Sequence, residues 1–136
     1  ALVGFLTYDK ITDFDLSDDK IDFQVAPVIG SADTGIVTLG GVVGDVVLSS
    51  DGIATFSGDG VGDATLSEIL AAVRSVVTGA GEVAVFEFND GFNDHGTYVY
   101  QENGSSSNDL FVLMEGVTGV TETSSVLGDA NTLYIH

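Results

Sequence analysis

A chain of 136 residues is long enough for one domain with a single hydrophobic core and short for two. With 44% apolar residues it can build that core. Three basic residues (Lys10, Lys20, Arg74) against 21 Asp and Glu leave a net charge of −18, which argues against nucleic acid and anionic membrane surfaces as partners. The absence of cysteine excludes disulfides, thiolate zinc sites and cysteine nucleophiles.

In chain order, residues 2–10 alternate loosely and predict a strand. Ile11 and Phe14, then Ile21 and Phe23, bracket an acidic turn carrying Asp13, Asp15, Asp18, Asp19 and Asp22. Short strands are expected near residues 36–39, 45–48 and 52–56. Gly58-Asp59-Gly60-Val61-Gly62-Asp63 follows. It is not a phosphate loop, because Asp59 and Asp63 would repel a pyrophosphate and no lysine follows. A turn feeding a helix explains the same residues, and a calcium site there is a weaker option.

Thr65-Leu66-Ser67-Glu68 has the form of a capping box. Leu66, Ile69, Leu70, Val73, Val76 and Val77 then recur at helical spacing, predicting an amphipathic helix over about 65–78 that ends at Gly79 and Gly81. Residues 82–89, 97–100 and 110–114 read as an antiparallel meander joined by turn-like connectors, with a last short strand at 132–135. No apolar run approaches the roughly 18 residues of a membrane span. No cleavable leader is legible at Ala1, which fits a cytoplasmic chain, a processed one, a fragment, or export through a C-terminal signal. The fold class expected is mainly β: one domain over residues 1–136, a sandwich or roll of short strands with one amphipathic helix.

Catalysis is the weakest reading. The only imidazoles are His95, which reads as a loop residue, and His136; no Gly-x-Ser-x-Gly elbow occurs, and Ser105-Ser106-Ser107 lies in a turn without an evident base. The acidic residue types match calcium better, since that ion takes six to eight oxygens from carboxylates, amides and carbonyls held by turns. Three loops offer them: residues 13–22; Asn89, Asp90, Asn93 and Asp94; and Glu102 through Asp109. None is an EF-hand. The first is the strongest candidate, because five carboxylates in ten residues either repel one another or are bridged.

Lys10-Ile11-Thr12-Asp13-Phe14 through Asp18-Asp19-Lys20-Ile21-Asp22-Phe23 resembles the I-T-D-F-x-x-x-x-D-K-I-D-L element that follows the calcium-binding repeats of bacterial repeats-in-toxin (RTX) proteins, including serralysin-like and surface-layer relatives. The later order is similar too: an Asp/Gly-rich middle, a helix, Val83-Ala84-Val85-Phe86-Glu87-Phe88, Thr97-Tyr98-Val99-Tyr100 and the stretch from Asp109 to Val117. Asp13, Asp19 and Asp22 match the motif; Asp15 and Asp18 join them from local geometry. The Gly-Gly-x-Gly-x-Asp nonapeptide is absent, since Gly40-Gly41-Val42-Val43-Gly44-Asp45 has the wrong spacing. The resemblance implies a non-catalytic C-terminal capping and secretion-associated module of a secreted bacterial protein. It further implies folding stabilised by calcium, with the type I export machinery and the adjacent repeats of the parent chain as partners. Two alternatives from other classes stand beside it. One is a self-assembling extracellular subunit (surface layer or filament) joined through the strand edges at 2–8 and 132–135. The other is a carbohydrate-binding β module using Tyr98, Tyr100 and Phe92.

Overall fold

The computed structural model describes residues 9–89, 91, 95–104, 109–126 and 129–136. The first half runs through β1 (Asp9–Ile11), β2 (Ile21–Asp22), β3 (Asp33–Leu39), β4 (Val42–Leu48) and β5 (Ala54–Ser57). A 3-10 turn, Val61–Asp63, leads into helix α1 (Leu66–Val76). The second half adds β6 (Val83–Asn89), β7 (His95–Gln101), β8 (Leu110–Glu115), β9 (Thr123–Val126) and β10 (Asp129–Ile135). The expected strand over residues 2–10 is seen from Asp9 onward; residues 1–8 lie outside the described residues.

The middle layer is the sheet β1-β8-β7-β6, in which β6, β7 and β8 form the expected antiparallel meander and β1 joins β8 in parallel. Strand alternation sends Tyr98 and Tyr100 to one face of β7 and Thr97, Val99 and Gln101 to the other, and all five are buried. The sheet is therefore covered on both sides. On the tyrosine side, Ala84, Phe86, Tyr98, Tyr100 and Leu113 pack with the β3-β4-β5 sheet and with Ile69, Leu70, Val73 and Val76 of α1. Phe86 stacks on Tyr98 at 5.5 Å, and Tyr98 on Phe111 at 5.2 Å. On the other side, Val83, Val85, Val99 and Met114 meet Ile21, Phe23, Leu133 and Ile135 of the β2-β10-β9 sheet. The protein is mainly β: the described residues form three sheets of short strands in sandwich-like layers with one α-helix.

The capping box forms as expected. The Glu68 amide donates to Thr65 Oγ1 at 3.2 Å, and the Thr65 amide returns to Glu68 Oε1 at 3.0 Å. Its second carboxylate oxygen takes the Gly40 amide at 3.0 Å, tying the helix start to the β3–β4 hairpin. The helix ends at Val77, earlier than Gly79, because Val77 turns to an extended conformation (φ −108°) and buries its side chain in the core. Gly40 and Gly41, both at positive φ (62° and 84°), form the two-residue mirror-image turn that suits the twist of a hairpin. That is the physical role of the Gly-Gly pair. β3 and β4 extend beyond the expected 36–39 and 45–48, since Gly35 and Gly44 sit inside the ladder.

The Gly58–Asp63 loop is a turn feeding the helix. Gly60 lets its backbone lie against the hairpin: a Cβ there would run into the Leu39 carbonyl oxygen and lie 2.7 Å from Val42 Cγ2, whereas one at Gly62 meets nothing within 4 Å. Gly60→Ala is expected to lower the free energy of unfolding in urea by about 1–3 kcal/mol through overpacking. Gly62→Ala should stay within about 0.5 kcal/mol of the parent. Equal effects at the two positions would contradict this packing.

Candidate functional site

Apolar anchors alternate with acids along residues 13–23. Phe14, Leu16, Ile21 and Phe23 pack into the second core, and all five aspartates are exposed. Within the turn, the amides of Asp18 and Asp19 donate to the Asp15 carbonyl at 3.1 and 2.8 Å. Asp15 Oδ1 accepts from the Ser17 hydroxyl at 2.6 Å and the Ser17 amide at 2.8 Å, while Asp19 Oδ2 accepts the Asp15 amide at 2.8 Å. Those two bonds from Ser17, the hydroxyl first, hold the Asp15 carboxyl below the ordinary aspartate range. Asp22 stands on β2, where its Oδ1 accepts from Thr132 Oγ1 at 2.6 Å.

The donor chemistry, all hard oxygen, suits calcium. The arrangement is open: among the described residues no three His, Cys, Asp or Glu side chains gather into a metal-holding group. Asp15 and Asp19 share the turn, Asp13 and Asp18 point to solvent beside it, and Asp22 serves the neighbouring sheet. The second acidic loop falls at Asp90, Asn93 and Asp94, outside the described residues.

The third loop has a structural use that sequence reasoning missed. Tyr100 Oη lies 2.8 Å from Asp109 Oδ2 and 2.9 Å from Glu102 Oε2, and the Arg74 Nε donates to it at 3.3 Å. Arg74 also pairs with Asp109 Oδ2 at 3.5 Å and lies over the Tyr100 ring. Asp109 Oδ1 accepts the Asn103 amide at 2.9 Å, and Glu102 Oε1 accepts the Gly104 amide at 2.9 Å. Burial first, then the hydrogen bond to Asp109, push the Tyr100 phenol well above its ordinary value. The cluster fastens α1 to the β7–β8 connection. Residues 105–108, including the three serines, lie outside the described residues.

Tyr98 and Tyr100 are both fully buried. They form core rather than a stacking platform for sugar, and Phe92 lies outside the described residues. His95 is exposed at the start of β7, where its carbonyl accepts the Gly116 amide at 2.9 Å. His136 Nε2 sits 3.0 Å from Ser124 Oγ, but among the described residues no carboxylate meets the ring, which stacks on Tyr134. A serine and a histidine without an orienting acid do not make an activated nucleophile of the triad kind. A cleft of about 340 Å³ opens where β5 and β6 diverge beyond the Ile53–Val85 bridge. It carries one carboxylate, Glu87, while the hydroxyl of Thr97 is given to the Val117 carbonyl at 2.8 Å. Its walls are mixed, Ile53, Phe56, Val61, Val85 and Val120 standing beside Thr55 and Glu87.

No protein-family model, curated protein or solved structure matches the chain. No helix among the described residues is long and apolar enough to cross a membrane.

Two measurements follow from this geometry. Asp109 has a side chain only 6% exposed, and Arg74 is the cation beside it. Arg74→Met is expected to cost roughly 1–3 kcal/mol in urea unfolding, less than the 3–5 of a fully buried pair because the Arg74 side chain is 34% exposed. Asp109→Asn in the same background should recover part of that loss; a cost no greater than that of an exposed surface charge would contradict the cluster. For Glu68, the Thr65 amide and the hairpin amides hold the carboxyl below the usual glutamate range. Its stabilising contribution is therefore full above that range and lost as pH falls through the depressed folded value. Glu68→Gln should flatten the loss of stability between about pH 5 and pH 3 relative to the parent; parallel pH profiles would contradict it.

Proposed function

We propose that the chain is a non-catalytic module of a secreted bacterial protein, of the kind that caps calcium-binding repeats near a type I export signal. The observation that carries this reading is the acidic turn. It bears the I-T-D-F and D-K-I-D motif residues, its apolar members anchor it to the core, and its carboxylates face solvent. A chain of net charge −18 repels itself, and a bound divalent cation would relieve part of that repulsion. The residues that would meet calcium are Asp13, Asp15, Asp18, Asp19 and Asp22, which stand apart in this structure and would have to be drawn together by the ion. An open arrangement of this sort belongs with the weak, extracellular class of calcium modules, with dissociation constants of about 10⁻⁴–10⁻³ M. Binding to the folded chain alone adds stability by mass action, so the fold is favoured where calcium is plentiful, outside the cell.

Calorimetry in chelator and in about 10 mM calcium tests the reading. At a dissociation constant near 1 mM the gain is about 1.4 kcal/mol, equivalent to a rise of roughly 3–6 °C in melting temperature. The rise should vanish in Asp13→Asn/Asp18→Asn. An unchanged melting temperature across that calcium range would remove calcium from the account.

A further inference from the structure

We propose that the cleft between β5 and β6 binds a small hydrophobic amine with an oxygen beside its ammonium group, as at the amino end of an amino acid amide. This goes beyond the function proposed above and depends on none of it.

The cleft exists because a strand ladder starts and then stops. Ile53 and Val85 form a parallel bridge, in which the Val85 amide donates to the Gly52 carbonyl at 2.8 Å. Backbone direction alternates along a strand, so Glu87 turns its amide and carbonyl to the same side as Val85. On β5, the Ser49 amide donates to the Ile53 carbonyl at 2.8 Å. Ile53 and Thr55 therefore direct their backbone groups toward β4, and Ala54 and Phe56 direct theirs toward β6. A continued parallel ladder would join the Glu87 amide to the Ala54 carbonyl and the Phe56 amide to the Glu87 carbonyl. Among the described residues Ile53–Val85 is the one bridge between the two strands, and these groups face the gap instead. Each takes its partner from whatever fills that gap, water or ligand.

The side chains decide what kind of ligand fits. The cleft volume of about 340 Å³ lies at the lower end of the roughly 300–1,000 Å³ usual for small-molecule pockets. Phe56, Val61, Val85 and Val120 supply apolar contact, and Phe56 stands edge-on to Phe86 with ring centroids 5.9 Å apart. Glu87 is the single charged residue of the lining. It is exposed, and among the described residues its carboxylate receives only the Gly119 amide, at a long 3.4 Å.

Charge then selects the sign. The field of a chain of net charge −18 draws cations toward this carboxylate and turns anions away. A primary ammonium has three donors, which answer the Glu87 carboxylate and the Ala54 carbonyl together. An oxygen one bond further along the ligand answers the Phe56 or Glu87 amide, and an apolar side chain lies against Phe56 and Val61. A plain alkylamine leaves the amides to water, and a carboxylic acid meets a field of the wrong sign.

Titration of the isotope-labelled protein with L-leucinamide, followed by NMR at about pH 6.5 where the ligand's amine is charged, tests the site. The shifts should centre on the amides of Phe56, Val85, Phe86, Glu87 and Thr97. They should fit a dissociation constant of roughly 1 mM, weak as expected for so few atoms. N-acetyl-L-leucinamide, which lacks the charge, should bind about tenfold more weakly, and Glu87→Gln should lose about tenfold for leucinamide itself. Glu87→Gln should keep the parent melting curve, since that side chain is exposed. Asp33→Asn removes the same charge on β3, two strands from β5, and should leave the affinity unchanged. Equal weakening by Asp33→Asn would show only the general pull of an acidic surface and overturn the proposal. Undiminished binding by Glu87→Gln, or no shift at the cleft up to about 20 mM leucinamide, would overturn it as well.

Discussion

Carboxylates outnumber cations seven to one in this chain, 21 against 3, and the structure is organised around that imbalance. Ion pairs cannot absorb so many acids. Lys10 reaches Glu115 only at 3.9 Å with both side chains part-exposed, a contact worth little, and Arg74 is committed to Asp109. Backbone amides do the work instead. Asp19 takes the amide of Asp15, Asp33 that of Thr34, Glu68 those of Thr65 and Gly40, Glu82 that of Gly79, Glu102 that of Gly104, and Asp109 that of Asn103. Each bond lies within a turn, at a helix start or at a strand end, where amides lack a ladder or helical partner. The acids thus close the loops of a glycine-rich chain while remaining near water.

This division leaves the interior almost free of charge. The central sheet is buried on both faces, and the polar groups it does bury are neutral and bonded. Gln101 gives its side-chain amide to the Val25 and Gly81 carbonyls at 2.9 and 3.2 Å, and Thr97 its hydroxyl to Val117. Both contacts pin a loop against the sheet. Asp109, whose side chain is only 6% exposed, is met by the single arginine.

Much of the fold was legible because it rests on local signals. The capping box, the apolar spacing of α1 and the alternation of β6, β7 and β8 each need only a short window of sequence. The errors lie where long-range pairing decides. Residues 132–135 read as an edge strand, yet β10 is the middle of the β2-β10-β9 sheet, with Leu133 and Ile135 buried, because β2 contributes only Ile21 and Asp22 from the far end of the chain. That removes one of the two edges first considered for self-assembly; the other, 2–8, lies outside the described residues. β9 went unseen for the same reason, since Thr123–Val126 is a polar strand recognised only through its pairing with β10. Gly40-Gly41, set apart from the repeat motif by its spacing, makes a hairpin turn whose partner strand the sequence alone does not name. Of the candidate site, the acidic turn was visible as composition, but not its internal bonds. The Arg74–Tyr100–Asp109 cluster joins residues far apart in sequence and left no local trace.

The central claim is that unbalanced carboxylate repulsion limits the stability of this fold, and the salt dependence of unfolding measures it most directly. Between about 20 mM and 0.5 M NaCl the Debye length shrinks from roughly 20 Å to about 4 Å. The free energy of unfolding in urea should climb steadily across that range. A flat or falling response would mean that the folded chain bears its charge without strain, and the account built on that imbalance would be wrong.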